Sequence, residues 1–171
     1  MRRVRYSVAM SLDGFIAGPK GEIDWIVMDP DIDFGALFEG FDTMLLGRKT
    51  YDASRQQGRG GGMPGMKAYV FSRTLRQSDC PDVTVSATPQ ETVAALKADC
   101  GKDIWLFGGG SLFRSLLDLR LVDTVEVAII PVLLGSGLPL LPPPTQRATL
   151  RLTNHRVYEK TGTTTLAYGV V

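Results

Sequence analysis

The chain has 171 residues, 44% of them apolar and 22% charged, with a formal net charge of +1. That size suits one domain, residues 1–171, with a single sizeable core. The near-neutral balance argues against a polyanionic partner such as DNA, which needs a basic stripe. No apolar run is long enough to span a membrane. Met1-Arg2-Arg3 carries the charge of a signal-peptide start, but Val4 to Met10 alternates and meets Asp13 and Gly14, so it reads as a strand. Cys80 and Cys100 supply neither a metal spacing nor a disulfide framework, and the single histidine, His155, cannot build a His-based zinc site or a Ser-His-Asp triad. No metal is expected, and the cytoplasm is the default location.

In chain order, the strand Val4–Met10 is followed by a break at Ser11-Leu12-Asp13-Gly14 and a loop through Phe15–Gly18. Phe34, Leu37, Phe38 and Phe41 fall at helical spacing, which predicts an amphipathic helix over Asp31–Phe41 with Asp31 or Asp33 near its N-cap. Thr43–Leu46 is a short buried strand running into Gly47, and Arg48–Ser54 can turn helical. A glycine-rich loop, Gln56–Gly65, leads to the strand Lys67–Phe71 and then to a short one at Val83–Val85. Pro89 opens a helix through Ala98. The strand Ile104–Phe107 precedes a helix over Ser111–Asp118, with Leu112, Leu116 and Leu119 on one face. Val122–Ile130 alternates as a strand, and Leu133–Leu141 reads as a loop. Leu150–Val157 and Thr163–Val170 form a closing hairpin. Strands alternating with helices predict an α/β domain with a largely parallel sheet, and the hairpin predicts an antiparallel edge.

The chemistry concentrates in Gly47-Arg48-Lys49-Thr50 and Gly108-Gly109-Gly110-Ser111, each following an apolar strand and opening a helix. Such a turn aims free backbone N–H groups at one point, where the helix dipole favours an anion. Two of them suggest a ligand with several phosphates, a dinucleotide first. Gly60-Gly61-Gly62-Met63-Pro64-Gly65 fits G-x-G-x-x-G, but the residues before it, Arg55 to Arg59, are polar and Pro64-Gly65 opposes a helix. It reads as a surface loop and not as a Rossmann fingerprint.

Placed in order, these segments resemble the dihydrofolate reductase superfamily, and within it the C-terminal reductase domain of bifunctional riboflavin-biosynthesis deaminase/reductases. The resemblance rests on Met10-Ser11-Leu12-Asp13-Gly14-Phe15-Ile16-Ala17, Leu46-Gly47-Arg48-Lys49-Thr50-Tyr51, Phe71-Ser72-Arg73-Thr74, Phe107-Gly108-Gly109-Gly110-Ser111-Leu112, and Leu121-Val122-Asp123 running to Pro131-Val132-Leu133-Leu134-Gly135-Ser136-Gly137. It implies a dihydrofolate-reductase-like fold: a central mixed, mostly parallel sheet flanked by helices. It implies NADPH as cofactor. Gly47 would admit the cofactor closely and Thr50 would donate to the pyrophosphate. Arg48, with Phe71, Ser72 and Arg73 from the next strand end, would meet the adenosine 2′-phosphate, where a planar cation suits a dianion. Lys49 faces either a phosphate or water. Gly108, Gly109, Gly110, Ser111 and Leu112 would form the pyrophosphate and ribose turn, with a cis Gly-Gly peptide. Ala9, Ile16 and Ala17 would flank the nicotinamide.

The substrate side is less defined by residue type. Hydride transfer to a flat heterocycle needs a proton donor near the nicotinamide. Asp33 is the first candidate and Asp31 the second, each with helix capping as the competing account. Trp25 and Phe34 offer an apolar wall, with core packing as the alternative for Phe34, and Asp13 either folds the first loop over the site or makes a turn with Gly14. Related reductase domains usually carry a glutamate just before the Gly-Gly pair, where this chain has Gly108, and the H-x-E and C-x-x-C of a zinc deaminase are absent. Two kinds of substrate remain open, a phosphoribosylamino-uracil and a dihydrofolate or pteridine. So does a cofactor-binding sensor without chemistry. Val125–Ile130 with Leu133-Leu134 offers either a homodimer face or a central core strand.

Overall fold

Strand β1 (Val4–Ser11) runs through the middle of the molecule, and the other elements are laid out on either side of it. The computed structural model of the chain describes residues 1–58 and 60–171. After β1 come β2 (Phe15–Ala17), α1 (Phe34–Glu39), β3 (Phe41–Gly47), α2 (Arg48–Gln56), β4 (Lys67–Phe71), β5 (Thr84–Ser86) and α3 (Pro89–Ala98). Then follow β6 (Asp103–Gly108), α4 (Gly110–Asp118), β7 (Thr124–Ile130), β8 (Leu138–Pro139), β9 (Leu150–Tyr158) and β10 (Thr163–Val170). Eight strands form one sheet in the order β5-β4-β3-β6-β1-β7-β10-β9. Pairing is parallel from β5 across to β7 and antiparallel at β7–β10 and β10–β9. The mixed sheet with a C-terminal hairpin at its edge is the architecture the alternation of elements predicts.

The interior strands are apolar runs because helices cover both faces. On one face Val4, Tyr6, Leu45, Leu106 and Val127 pack with Val93, Phe113 and Leu116 from α3 and α4. On the other, Met44, Leu46, Val70 and Trp105 pack with Tyr51 of α2 and with Leu37 and Phe38 of α1. β7 lies inside the sheet with Val125 and Val127 in the core, so the apolar run Val125–Ile130 serves the sheet itself.

Three local expectations change. The predicted helix over Asp31–Phe41 shrinks to Phe34–Glu39, because Asp33 caps its start and Phe41, 3% exposed, begins β3 in the core. Leu119 is not on the inner face of α4; it stands at the C-cap, 39% exposed, and Phe113 and Leu117 join Leu112 and Leu116 there. The loops predicted at Phe15–Gly18 and Leu133–Leu141 each hold a short strand, since β2 pairs antiparallel with β8. Neither is long enough to show a period of its own.

The glycine-rich loop before β4 has a packing role. Gly61 donates its N–H to Asp82 Oδ2 at 2.8 Å, and a Cβ there would collide with Tyr51 and Val83. No helix opens in it, as the rejection of a Rossmann fingerprint requires; Arg59, the last of the polar residues ahead of it, lies outside the described residues. Among the described residues no helix is long and apolar enough to cross a membrane, and no group of His, Cys, Asp or Glu side chains is arranged to hold a metal.

Candidate active site

β3 and β6 are parallel neighbours, with Leu46 opposite Gly108. Both glycine turns therefore leave the sheet side by side at the strand carboxyl ends, where open α/β sheets bind ligands. The two turns nearly touch. A Cβ on Gly47 would stand 3.7 Å from the Gly108 carbonyl oxygen and 3.8 Å from the Gly109 nitrogen. A Cβ on Gly109 would stand 3.5 Å from Thr50 Oγ1 and 4.0 Å from Ile16 Cδ1. Side chains at these positions would fill the gap between the turns. Gly108 has φ +124°, a conformation reserved for glycine, and its peptide to Gly109 is cis. α2 and α4 begin at Gly47 and Gly109 with no side-chain cap, so the first N–H groups of both helices lack a side-chain partner where the two turns lie side by side. Leu112 contributes packing, since its N–H is spent on the Gly109 carbonyl at 3.0 Å and its side chain is buried.

Arg48 reaches sideways from the first turn of α2 to the end of β4. Its Nη1 donates to Thr74 Oγ1 at 3.2 Å, and its Nε to Asp52 Oδ2 at 2.6 Å. Ser72 Oγ receives the N–H groups of Thr74 and Leu75 at 3.2 and 3.1 Å, which shapes that strand end into a tight hook. Arg48, Ser72, Arg73 and Thr74 thus frame one exposed cationic corner, with Lys49 also exposed beside it. Phe71 stands apart from this corner, 9% exposed in the core, and only its backbone is left to serve a ligand. Thr74 is the residue overlooked among the candidates. Its place in the Phe71–Thr74 segment was the available signal.

The sheet face under α1 lies next to the glycine turns. Ala9 of β1 pairs with Ala128 of β7, and Ala128 with Thr165 of β10, so small side chains floor this face. An aromatic chain bounds it. Phe34 lies 6.2 Å from Phe38, Phe38 5.2 Å from Trp105, and Trp105 5.0 Å edge-on from Phe107, between ring centroids. Phe107 immediately precedes the Gly108 turn and is 38% exposed; the alternation Trp105, Phe107 along β6 was its sequence signal. Trp25 does not join this chain; its indole N–H donates to the Glu22 carbonyl at 3.0 Å. Ile16 is half-buried beside the turns, and Ala17 is buried against the β8 segment.

The acidic candidates have partners. Asp33 is the N-cap of α1, its Oδ1 accepting the Ala36 N–H at 2.9 Å. Asp31 is exposed and paired with Lys160 at 2.7 Å. Asp29, which no local pattern singles out, is 1% exposed. Glu126, on the sheet face near Ser7, is held by Arg5 through a bidentate pair at 2.7 and 2.8 Å.

A family model for the RibD C-terminal domain matches residues 2–164. The chain belongs to the RibD C-terminal domain family. Within reach of this RibD-type domain, YyaP of Bacillus subtilis strain 168, a protein of uncharacterised role, is 39% identical over 168 residues, covering 92% of this chain and 89% of its own length. The diaminohydroxyphosphoribosylaminopyrimidine deaminase/5-amino-6-(5-phosphoribosylamino)uracil reductase of Thermotoga maritima superposes with a TM-score of 0.72 at 17% identity, covering 99% of this chain and 57% of that one. Dihydrofolate reductase from Enterococcus faecalis, solved with NADP(H), superposes with a TM-score of 0.69 at 17% identity, covering 98% and 96%. The RibD-type domain thus has the dihydrofolate-reductase-like fold.

Proposed function

We propose that this RibD-type domain is an NADPH-dependent reductase that reduces a C=N or C=O bond of a flat heterocycle of pyrimidine or pteridine type. The observation that carries the reading is the abutment of the two glycine turns, with Arg48 bonded to Thr74 beside them. The donor set suits a dinucleotide with an extra phosphate. The free N–H groups of α2 and α4 would hold the pyrophosphate, aided by Thr50 and Ser111. Arg48, Ser72 and Arg73 would hold the 2′-phosphate, and Ala9, Ile16 and Ala17 would border the nicotinamide. When bound, NADPH supplies the hydride.

The chain's own residues orient the acceptor and protonate it. Phe34, Phe38 and Phe107 would press a flat ring toward the floor at Ala9. Asp33 stands at the start of the helix on that face and is the proposed proton donor; Asp31, committed to Lys160, is second. Gly108, where relatives usually carry a glutamate for the ribosyl substrate, supports a substrate that does not need that contact.

The engagement of both aspartates favours one alternative, a protein that binds NADPH without turning it over. The deciding experiment follows NADPH absorbance against dihydrofolate, the riboflavin-pathway aminouracil and a wider heterocycle panel, alongside NADPH binding by fluorescence. Binding with turnover supports the reductase. Binding without turnover across the panel supports the sensor, and no binding overturns both.

A further inference from the structure

A carboxylate that no part of the reaction requires is buried behind the substrate face. Asp29 is 1% exposed, and its oxygens accept the Asp31 N–H at 2.9 Å, the Thr161 N–H at 3.1 Å and the Thr161 hydroxyl at 2.7 Å. Thr161 belongs to the turn between β9 and β10, and its Oγ1 also lies 2.8 Å from Thr163 Oγ1. Lys160 of the same turn binds Asp31. The segment before α1 is therefore fastened to the far end of the sheet.

The segment also holds itself rigid. Ile32 N–H donates to the Asp29 carbonyl and Phe34 N–H to the Ile32 carbonyl, both at 3.1 Å, and Asp33 then caps α1. The N–H groups of Asp31, Ile32 and Phe34 are all bonded within this segment, so a shift at the anchor is passed along to the helix start. α1 cannot set its own position: it is six residues long and has no buried residue. Helices that short are not stable alone and take their place from what holds them. A carboxylate is buried only where donors compensate it. Here three donors from two separate segments do so.

We propose that Asp29, locked to Thr161, is the positioning residue of the substrate side. It sets where Asp33 and Phe34 stand over the floor at Ala9, and it does not touch the cofactor turns. This rests on the reading of that face as the substrate side of a reductase.

The test compares Thr161→Val, Asp29→Asn and the conservative Thr161→Ser in the full chain. Hydrogen exchange is read in residues 31–36 and separately after Gly47 and Gly109. Binding of lumazine, a flat uncharged heterocycle, is read by tryptophan quenching with NADPH saturating. The expected result is faster exchange over 31–36 and about tenfold weaker lumazine binding, as loss of orientation produces. Exchange after both glycine turns and NADPH affinity stay as in the parent, and Thr161→Ser restores both readouts. Unchanged exchange over 31–36, or an equal loss of NADPH affinity, overturns the proposal. A parent protein that ignores lumazine counts against the heterocycle reading, and the exchange measurement still decides the anchor.

Discussion

The Asp13 carboxylate accepts the N–H of Gly135 at 2.7 Å, tying the loop after β1 to the loop after β7. Leu134 donates to the same carboxylate at 3.1 Å, and the Ser11 hydroxyl at 2.6 Å. Two motifs 121 residues apart in sequence, Ser11-Leu12-Asp13-Gly14 and Leu133-Leu134-Gly135, are halves of one clasp. The Ser11 hydroxyl is the main cause holding the Asp13 pKa below its ordinary value; desolvation opposes it, and the Gly135 and Leu134 amides add to the lowering. A depressed carboxylate pKa stabilises the fold above the unfolded value of about 4, and the effect is lost as pH falls through the lower folded value. The Asp13 carboxylate is therefore charged at neutral pH, and its contribution to the clasp is lost only in acid. Asp13→Asn should speed amide exchange at Leu134 and Gly135 near pH 7 and remove that local acid transition. Unaltered exchange there would mean that the clasp holds nothing.

Arg48 is where the proposed cofactor preference is tested. NADPH differs from NADH by the phosphate that Arg48 and the Ser72–Thr74 hook would hold. Losing one charged contact costs about 1.5–3 kcal/mol, or roughly ten- to a hundredfold. The Arg48→Gln variant should lose that much NADPH affinity while NADH affinity barely moves, in a fluorescence titration. Equal losses for both would place Arg48 elsewhere on the ligand.

Gly47 separates folding from binding. Its φ of −78° and ψ of 159° suit alanine, and the added Cβ would make ordinary contact at 3.7 Å. Replacing glycine at a compatible position stabilises by about 0.4–1 kcal/mol through the unfolded state. Gly47→Ala should therefore melt no lower than the parent yet bind NADPH more weakly, since the methyl group occupies the gap between the turns. Undiminished affinity would show that the gap is not the cofactor's.

Asp33→Asn isolates chemistry from capping. Asparagine caps a helix about as well as aspartate, so thermal stability should hold. A missing general acid typically costs about 10²–10⁴-fold, so turnover should fall on that scale with NADPH affinity intact. Full turnover in the variant would move the proton donor to another group.

The strands of the main sheet and the longer helices were legible because their patterns are local. Lys67–Phe71 and Pro89–Ala98 appear where apolar periodicity and a leading proline place them. The two glycine turns were legible because strand, glycine and helix start are contiguous in the chain. The aromatic face under α1 was not, because its parts meet only in three dimensions. Phe107 joins Phe34 and Phe38 through Trp105 across separate elements, and Asp29 looks like any loop aspartate until Thr161 arrives beside it.

The residues alone determined an α/β chain with a mixed sheet and a pair of glycine turns that each open a helix. Backbone conformation and hydrophobic period act over neighbouring residues, and those neighbours are written in order. The tertiary structure alone decided that Gly47 faces Gly108, that Arg48 reaches Thr74, and that Asp13 and Asp29 clasp loops from the other end of the chain. Parallel pairing of β3 with β6 and the return of the β9–β10 hairpin bring these groups together. A buried or clasped carboxylate is defined by the donors that reach it, and no local pattern encodes which distant backbone will supply them.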